Sequence, residues 1–137
     1  MNLIFENNGG YVPVRAHDDD AGYDLSCAND IELNAGKVTV VDTCVRILIP
    51  HGYVGLVLPR SGLSASGVIV ATGVIDAGYT GHIKVAMSVL SGQRAFNKGS
   101  RIAQLVVLPL ANLSLKDGSV LAHKSQRGCQ GYGSSGV

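Results

Sequence analysis

The sequence predicts an all-β fold, a barrel or sandwich built from short strands. Three observations carry that expectation. Segments rich in Val, Ile and Thr recur at intervals of roughly 8–12 residues. The 18 glycines among 137 residues cluster with other turn formers between those segments, which suits many hairpins and close backbone approaches. No apolar pattern of helical period is long enough for a real helix.

Taken in order, a first strand centres on Leu3-Ile4-Phe5 and ends in a Gly-Gly turn. Asp18, Asp19 and Asp20 form an acidic run that reads as a solvated loop, because three adjacent aspartates cannot all face one ion. In AGYDLSCA (21–28), Tyr23 and Leu25 alternate with Asp24 and Ser26, so a strand puts Asp24 on the face opposite Leu25. Residues 31–59 form a series of alternating strands, broken by turn chemistry at Asn34-Ala35-Gly36 and Pro50-His51-Gly52. RSGLSASG (60–67) has no period and is a loop or a single helical turn. GVIDAGYTG (73–81) lies between two β-prone runs and reads as a β-hairpin with its turn near Ala77-Gly78. SGQRAFNKGS (91–100) reads as a loop, and RIAQLVVLPL (101–110) as a strongly β-prone strand. Residues 111–123 suit another hairpin, or a loop with a short strand. No repeat or long linker divides the chain. The expected organisation is a barrel domain over 1–124, followed by a flexible C-terminal lid over 125–137.

Composition narrows the function classes. The formal net charge is +1 and no block of Lys and Arg occurs, so nothing points to a nucleic acid or a membrane as partner. Cys27, Cys44 and Cys129 are widely spaced and form no CxxC pair, which fits a reducing compartment. The N-terminus is too polar for a signal peptide, and no apolar run approaches the roughly 18 residues of a membrane span. A soluble protein of the cytoplasm or another intracellular compartment is expected.

Several residues carry recognisable chemistry. In the 73–81 stretch, one carboxylate (Asp76) and one ring (Tyr79) share a tight turn with exposed amides, a set suited to a small polar planar ligand. Arg60, Ser61 and Gly62 combine a guanidinium, a hydroxyl and open amides, which makes an anion site. PRSG is equally an ordinary turn. The C-terminal segment repeats that chemistry with Arg127, Tyr132, Gly133, Ser134 and Ser135. It reads as a disordered tail, or as a lid that orders over an anionic planar ligand such as a nucleotide. Gln104 is the one polar side chain within an apolar strand, either a satisfied buried amide or a ligand contact. The four histidines are scattered without ligand spacing, and His82 reads as a sheet-surface residue. Only Glu6 and Glu32 are glutamates, which disfavours a two-glutamate mechanism.

Five segments in sequence, AGYDL (21–25), PRSGL (59–63), GVIDAGYTG (73–81), GSRIAQLV (99–106) and RGCQGYGSSG (127–136), resemble the five motifs of the trimeric dUTPase family. They cover nearly the whole chain in the family's order. The resemblance implies a distorted jelly-roll-like β-barrel (a β-clip) that forms a homotrimer, with active sites at subunit interfaces. It implies hydrolysis of dUTP to dUMP and pyrophosphate with Mg²⁺. By that resemblance Asp76 orients and deprotonates the attacking water, and Tyr79 packs on the deoxyribose. Main-chain groups around Gly73 and Val74 pair with the uracil edge. Arg60, Ser61, Gly62 and Gln104 contact phosphates, and Asp24 holds the metal through its water shell. Arg127 clamps the γ-phosphate, Tyr132 stacks on uracil, and Gly133, Ser134 and Ser135 belong to the same closing segment. The chain departs from the family pattern at Gly78, Ser100, Gln130, Tyr132 and Ser135, and none of these removes a catalytic group. Two other readings share the scaffold. A dCTP deaminase resembles one needing a glutamate near the 73–81 stretch, and this chain has none beyond Glu32. The other is a non-catalytic nucleotide sensor or protein-binding module.

Overall fold

Alternation of buried and exposed residues is clearest in the strands Val45–Leu48 and Lys84–Val89. A computed structural model describes residues 1–136. It contains eleven strands: β1 (Ile4–Asn7), β2 (Tyr23–Ser26), β3 (Ile31–Asn34), β4 (Thr39–Asp42), β5 (Val45–Leu48), β6 (Tyr53–Leu58), β7 (Val68–Val70), β8 (Gly73–Ile75), β9 (Lys84–Val89), β10 (Gln93–Phe96) and β11 (Arg101–Pro109). In β5, Val45 and Ile47 point inward while Arg46 and Leu48 face out. In β9, Val85, Met87 and Val89 are buried in alternate places. That period-2 burial is what a sheet with one covered face requires.

All pairings are antiparallel, and they make four sheets with orders β1-β5, β10-β3, β2-β11-β6-β8 and β4-β9-β7. Their inner faces enclose one aliphatic core that includes Leu25, Leu33, Ile47, Ile49, Ile83, Met87, Ile102 and Leu105. The result is the expected all-β, jelly-roll-like architecture. The core needs close backbone approach in one place: a methyl at Gly55 in β6 would stand 2.8 Å from Ile49 Cδ1.

Three local expectations are corrected. First, residues 73–81 are not a hairpin. β8 pairs with β6, and β9 pairs with β4 and β7. The two runs belong to different sheets, and the segment between them crosses from one to the other. The turn itself is present, with the Tyr79 amide donating to the Asp76 carbonyl at 3.2 Å and Gly78 at φ +85°. Second, residues 93–96 are a strand rather than a loop, because Gln93–Phe96 find a complete partner in β3. Third, residues 111–123 hold no strand or hairpin, only a 3-10 turn at Val120–Ala122.

Helix is confined to α1 (Ser61–Ala65) and that 3-10 turn among the described residues, and no helix is long and apolar enough to cross a membrane. From Ala111 to Gly136 every residue is exposed. The last residue of the expected lid, Val137, lies outside the described residues.

Candidate active site

Strand β11 is the spine of the site. It runs between β2 and β6, so Gln104 lies opposite Asp24 on one side and Leu58 on the other. Residues directly opposite in a ladder share a face. Leu25, Ala103 and Leu105 point into the core, which sends Asp24 and Gln104 to the other face. β6 then ends at Leu58 and delivers Pro59, Arg60 and the start of α1 beside them.

The side chains interlock. Gln104 Nε2 donates to the Pro59 carbonyl at 2.9 Å, which pins the entry to the Arg60–Gly62 loop. Arg60 Nε stands 2.9 Å from Asp24 Oδ1, and Arg101 Nη1 stands 3.2 Å from Asp24 Oδ2. Arg60 also donates to the Arg101 carbonyl at 3.3 Å. Only 15% of the Asp24 side chain is exposed, so both of its oxygens are committed to guanidinium groups. Gly22 leaves room for this arrangement, since a methyl there would come within 2.6 Å of Gln104 Oε1.

The resulting cavity has a volume of about 540 Å³ and is lined by Asp24, Arg60, Ser61, Gly62, Arg101 and Gln104, with the 16–22 loop on its other wall. Ser61 and Gly62 are exposed at its rim. They open a helical turn whose first amides have no intrahelical acceptor. On the far wall, the His17 amide holds the Asp20 carboxyl below its ordinary value, with a smaller opposing effect of burial. Two guanidiniums, a hydroxyl, a carboxamide and free amides on one rim make a polyanion site.

The other expected residues lie elsewhere. Gly73 and Val74 belong to β8, opposite Val57 and Leu56. Ile75 lies opposite Gly55, and the strands are antiparallel. Asp76 therefore leaves β8 beyond Gly55, while Arg60 follows the opposite end of β6 at Leu58, roughly 10 Å or more along the strand. Tyr79 folds back over Gly81, where any methyl would overlap its hydroxyl, and donates to the His82 carbonyl at 3.1 Å. Neither Asp76 nor Tyr79 lines the cavity around Arg60.

Arg127, Tyr132, Gly133 and Ser135 border a separate shallow depression of about 310 Å³ in the C-terminal segment. Arg127 Nε donates to the Gln130 carbonyl at 3.1 Å, and Tyr132 is fully exposed. Ser134 joins the same run through its amide, which donates to the Gly131 carbonyl at 3.1 Å. The single chain thus holds three partial sites: a polyanion cavity, an acid-and-ring turn, and an exposed arginine-and-ring segment.

Arg101 lines the cavity and pairs with Asp24, and the sequence alone does not single it out. Its position in the GSRIAQLV segment, three residues before Gln104, was the available signal. Residues 16–20 of the far wall carry no sequence signal of this kind, because only the isolated bridge of the preceding Val14 to Asp24 anchors that loop beside the cavity.

Comparison with known proteins gives the family. A sequence model of the dUTPase family matches residues 9–136. A deoxyuridine 5'-triphosphate nucleotidohydrolase of Mycolicibacterium gilvum is 47% identical over 135 residues, covering 91% of this chain and 87% of that one. The dUTPase of Staphylococcus bacteriophage 80alpha, solved with dUPNHPP, superposes with a TM-score of 0.92 at 32% identity over 99% of both chains. A mutant dUTPase from phage phi11 of S. aureus, described with a structural Mg(II) ion, gives a TM-score of 0.83 at 28% identity, covering 90% of this chain and all of that one.

Proposed function

Because this chain belongs to the dUTPase family, we propose that it hydrolyses dUTP to dUMP and pyrophosphate at sites completed by neighbouring copies of itself. The observation that carries the second half is the distance within one chain. The polyanion groups gather where β6 ends, and Asp76 stands beyond the other end of β8's pairing with it. A carboxylate that activates water for attack on the α-phosphorus must come within hydrogen-bond reach of that water. Roughly 10 Å or more of strand separates it from the groups that would hold the phosphates. A second chain removes the conflict by presenting its own turn to the first chain's cavity. Such a head-to-tail contact closes as a ring, here a homotrimer.

The segment after Leu110 supports the same reading. Leu113, Leu115, Val120 and Leu121 are each more than 80% exposed. A run of uncovered large apolar side chains marks a surface that another chain covers. It would also carry the segment from Ser125 to a neighbouring site.

In the assembled site Arg60, the Ser61 hydroxyl, the Gly62 amide and Gln104 hold phosphate oxygens. Asp76 of an adjacent copy orients the water and accepts its proton as the α-phosphorus is attacked, and pyrophosphate leaves. Tyr79 lies against the deoxyribose and leaves no space for a 2′-hydroxyl. The backbone at Gly73 and Val74 reads the uracil edge. Arg127 then closes on the γ-phosphate with Ser134 and Ser135, while Tyr132 stacks on the base beside Gly133.

The donor set suits Mg²⁺ held at one remove. Both Asp24 oxygens are already ion-paired with guanidiniums, so this carboxylate reaches an ion through bound water rather than directly. Mg²⁺ keeps several waters and favours oxygen donors. When bound it supplies charge neutralisation at the phosphates.

The test is pyrophosphate release by the purified chain. We expect turnover of dUTP with Mg²⁺, none with EDTA, and little from dTTP, dCTP or UTP. Intact dUTP in the presence of Mg²⁺ would overturn the proposal.

A further inference from the structure

One side-chain cluster lies outside the cavity around Arg60. Asp42 ends β4, Cys44 sits in the short crossing to β5, and His82 leads into β9. One donor atom from each lies within 4.8 Å of the other two, and all three residues are half-buried. His82 Nδ1 is 3.1 Å from Asp42 Oδ2. The other carboxylate oxygen, Oδ1, accepts the Cys44 amide at 2.8 Å, which fixes the orientation of the carboxylate.

An aspartate–histidine pair alone explains two of these residues and leaves the thiol unaccounted for. Cys44 is the one non-glycine residue at positive φ (53°) among the described residues. Glycine or asparagine holds that conformation at lower cost. The structure spends a strained backbone position on presenting sulfur next to an imidazole and a carboxylate.

Those three donors form a familiar kind of set. Zinc bonds thiolate at about 2.3 Å and imidazole or carboxylate at about 2.0–2.2 Å, so donors around it stand roughly 3.3–3.8 Å apart. The His82–Asp42 separation of 3.1 Å lies just below that range, and the whole set spans no more than 4.8 Å, so small side-chain rotations would bring the donors to it. Thiolate and carboxylate supply two negative charges against the single positive charge of Lys84, which faces Asp42 across the β4–β9 ladder. A thiolate selects a soft cation, whereas Mg²⁺ seeks oxygen.

We propose that Asp42, Cys44 and His82 bind a divalent cation of the zinc class, with a fourth position open to water. The site is separate from the Arg60 cavity. It touches the Asp76–Gly81 turn, because the His82 carbonyl accepts the Tyr79 hydroxyl. A bound ion would tie the β4–β5 crossing to the residue on which Tyr79 rests.

The experiment titrates metal-free full-length protein with Co²⁺. A cobalt–thiolate bond gives intense near-ultraviolet charge-transfer absorption. We expect saturation at about one Co²⁺ per chain and displacement by Zn²⁺. The absorption should persist in Cys129→Ser and vanish in Cys44→Ser. His82→Gln keeps a hydrogen-bond donor toward Asp42 and should leave the circular dichroism unchanged while weakening Co²⁺ binding at least about tenfold. It decides the question even if Cys44→Ser fails to fold. No absorption in the unsubstituted protein, its survival in Cys44→Ser, its loss in Cys129→Ser, or unchanged affinity in His82→Gln would each overturn the proposal.

Discussion

Ending the chain after Lys124 should separate stability from turnover completely. The deletion removes Arg127, Tyr132, Gly133, Ser134 and Ser135 together. Every hydrogen bond recorded for residues 125–136 closes within that segment. Every residue in it is exposed, so the barrel loses no packed surface. Stability should change by no more than about 0.5 kcal/mol, or roughly 2 °C in Tm. Turnover should behave differently. An arginine that stabilises the developing charge in phosphoryl-transfer enzymes contributes about 10³–10⁵ in rate, and Arg127 would do so on the leaving pyrophosphate. At about 1.36 kcal/mol per decade that is roughly 4–7 kcal/mol of barrier. The assay pairs thermal melts with pyrophosphate release from dUTP, and sedimentation checks the assembly. Unchanged kcat would refute the closing role of the segment. A fall in Tm of about 10 °C would refute its independence from the barrel.

Two further outcomes follow from particular contacts. Gly81→Ala would place a methyl against the Tyr79 ring end, and the ring should move while the barrel holds. Discrimination against UTP should fall roughly tenfold or more with little change in Tm, and unaltered discrimination would remove Tyr79 from the sugar contact. At Asp42, burial works to raise the carboxyl. The Cys44 amide, the His82 hydrogen bond and the His82 and Lys84 charges outweigh it, leaving the group below its ordinary 3.8. A depressed carboxylate stabilises the fold above its unfolded value and loses that contribution as pH falls through the folded one. The urea midpoint difference between the native chain and Asp42→Asn should shrink as pH falls below about 4. A difference that persists undiminished at lower pH would contradict the assignment.

The features legible in the sequence were the local ones. Tyr23-Asp24-Leu25-Ser26 announces its strand and its two faces by alternation. Asn34-Ala35-Gly36 and Pro50-His51-Gly52 announce turns by residue type. Pairing partners are not local, and this explains the failed hairpin. Strand, turn and strand were all present in 68–89, but β8 joins β6 and β9 joins β4 and β7. β10 was missed because Gln93–Phe96 has a single buried side chain, Phe96, and owes its form to β3. The break at Thr43-Cys44 carries no glycine or proline. It is held instead by the buried Thr43 hydroxyl, which donates to the Ile83 carbonyl at 2.7 Å. Asp42 and His82 meet across forty positions of sequence, a distance no spacing rule covers. The motif residues other than Arg101 are readable in the sequence, yet their distribution over a cavity, a turn and an exposed segment is not, because it follows from strand pairing.

The most direct test of shared sites mixes two inactive chains. One carries Asp76→Asn, which disables the turn. The other carries Ser61→Ala with Gln104→Ala, which disables the cavity. After joint unfolding and refolding at equal amounts, random assortment around a three-fold ring gives about one quarter of sites an intact cavity facing an intact turn. The account predicts dUTP turnover near a quarter of the native value in the mixture. A mixture no more active than the two variants measured separately would contradict it.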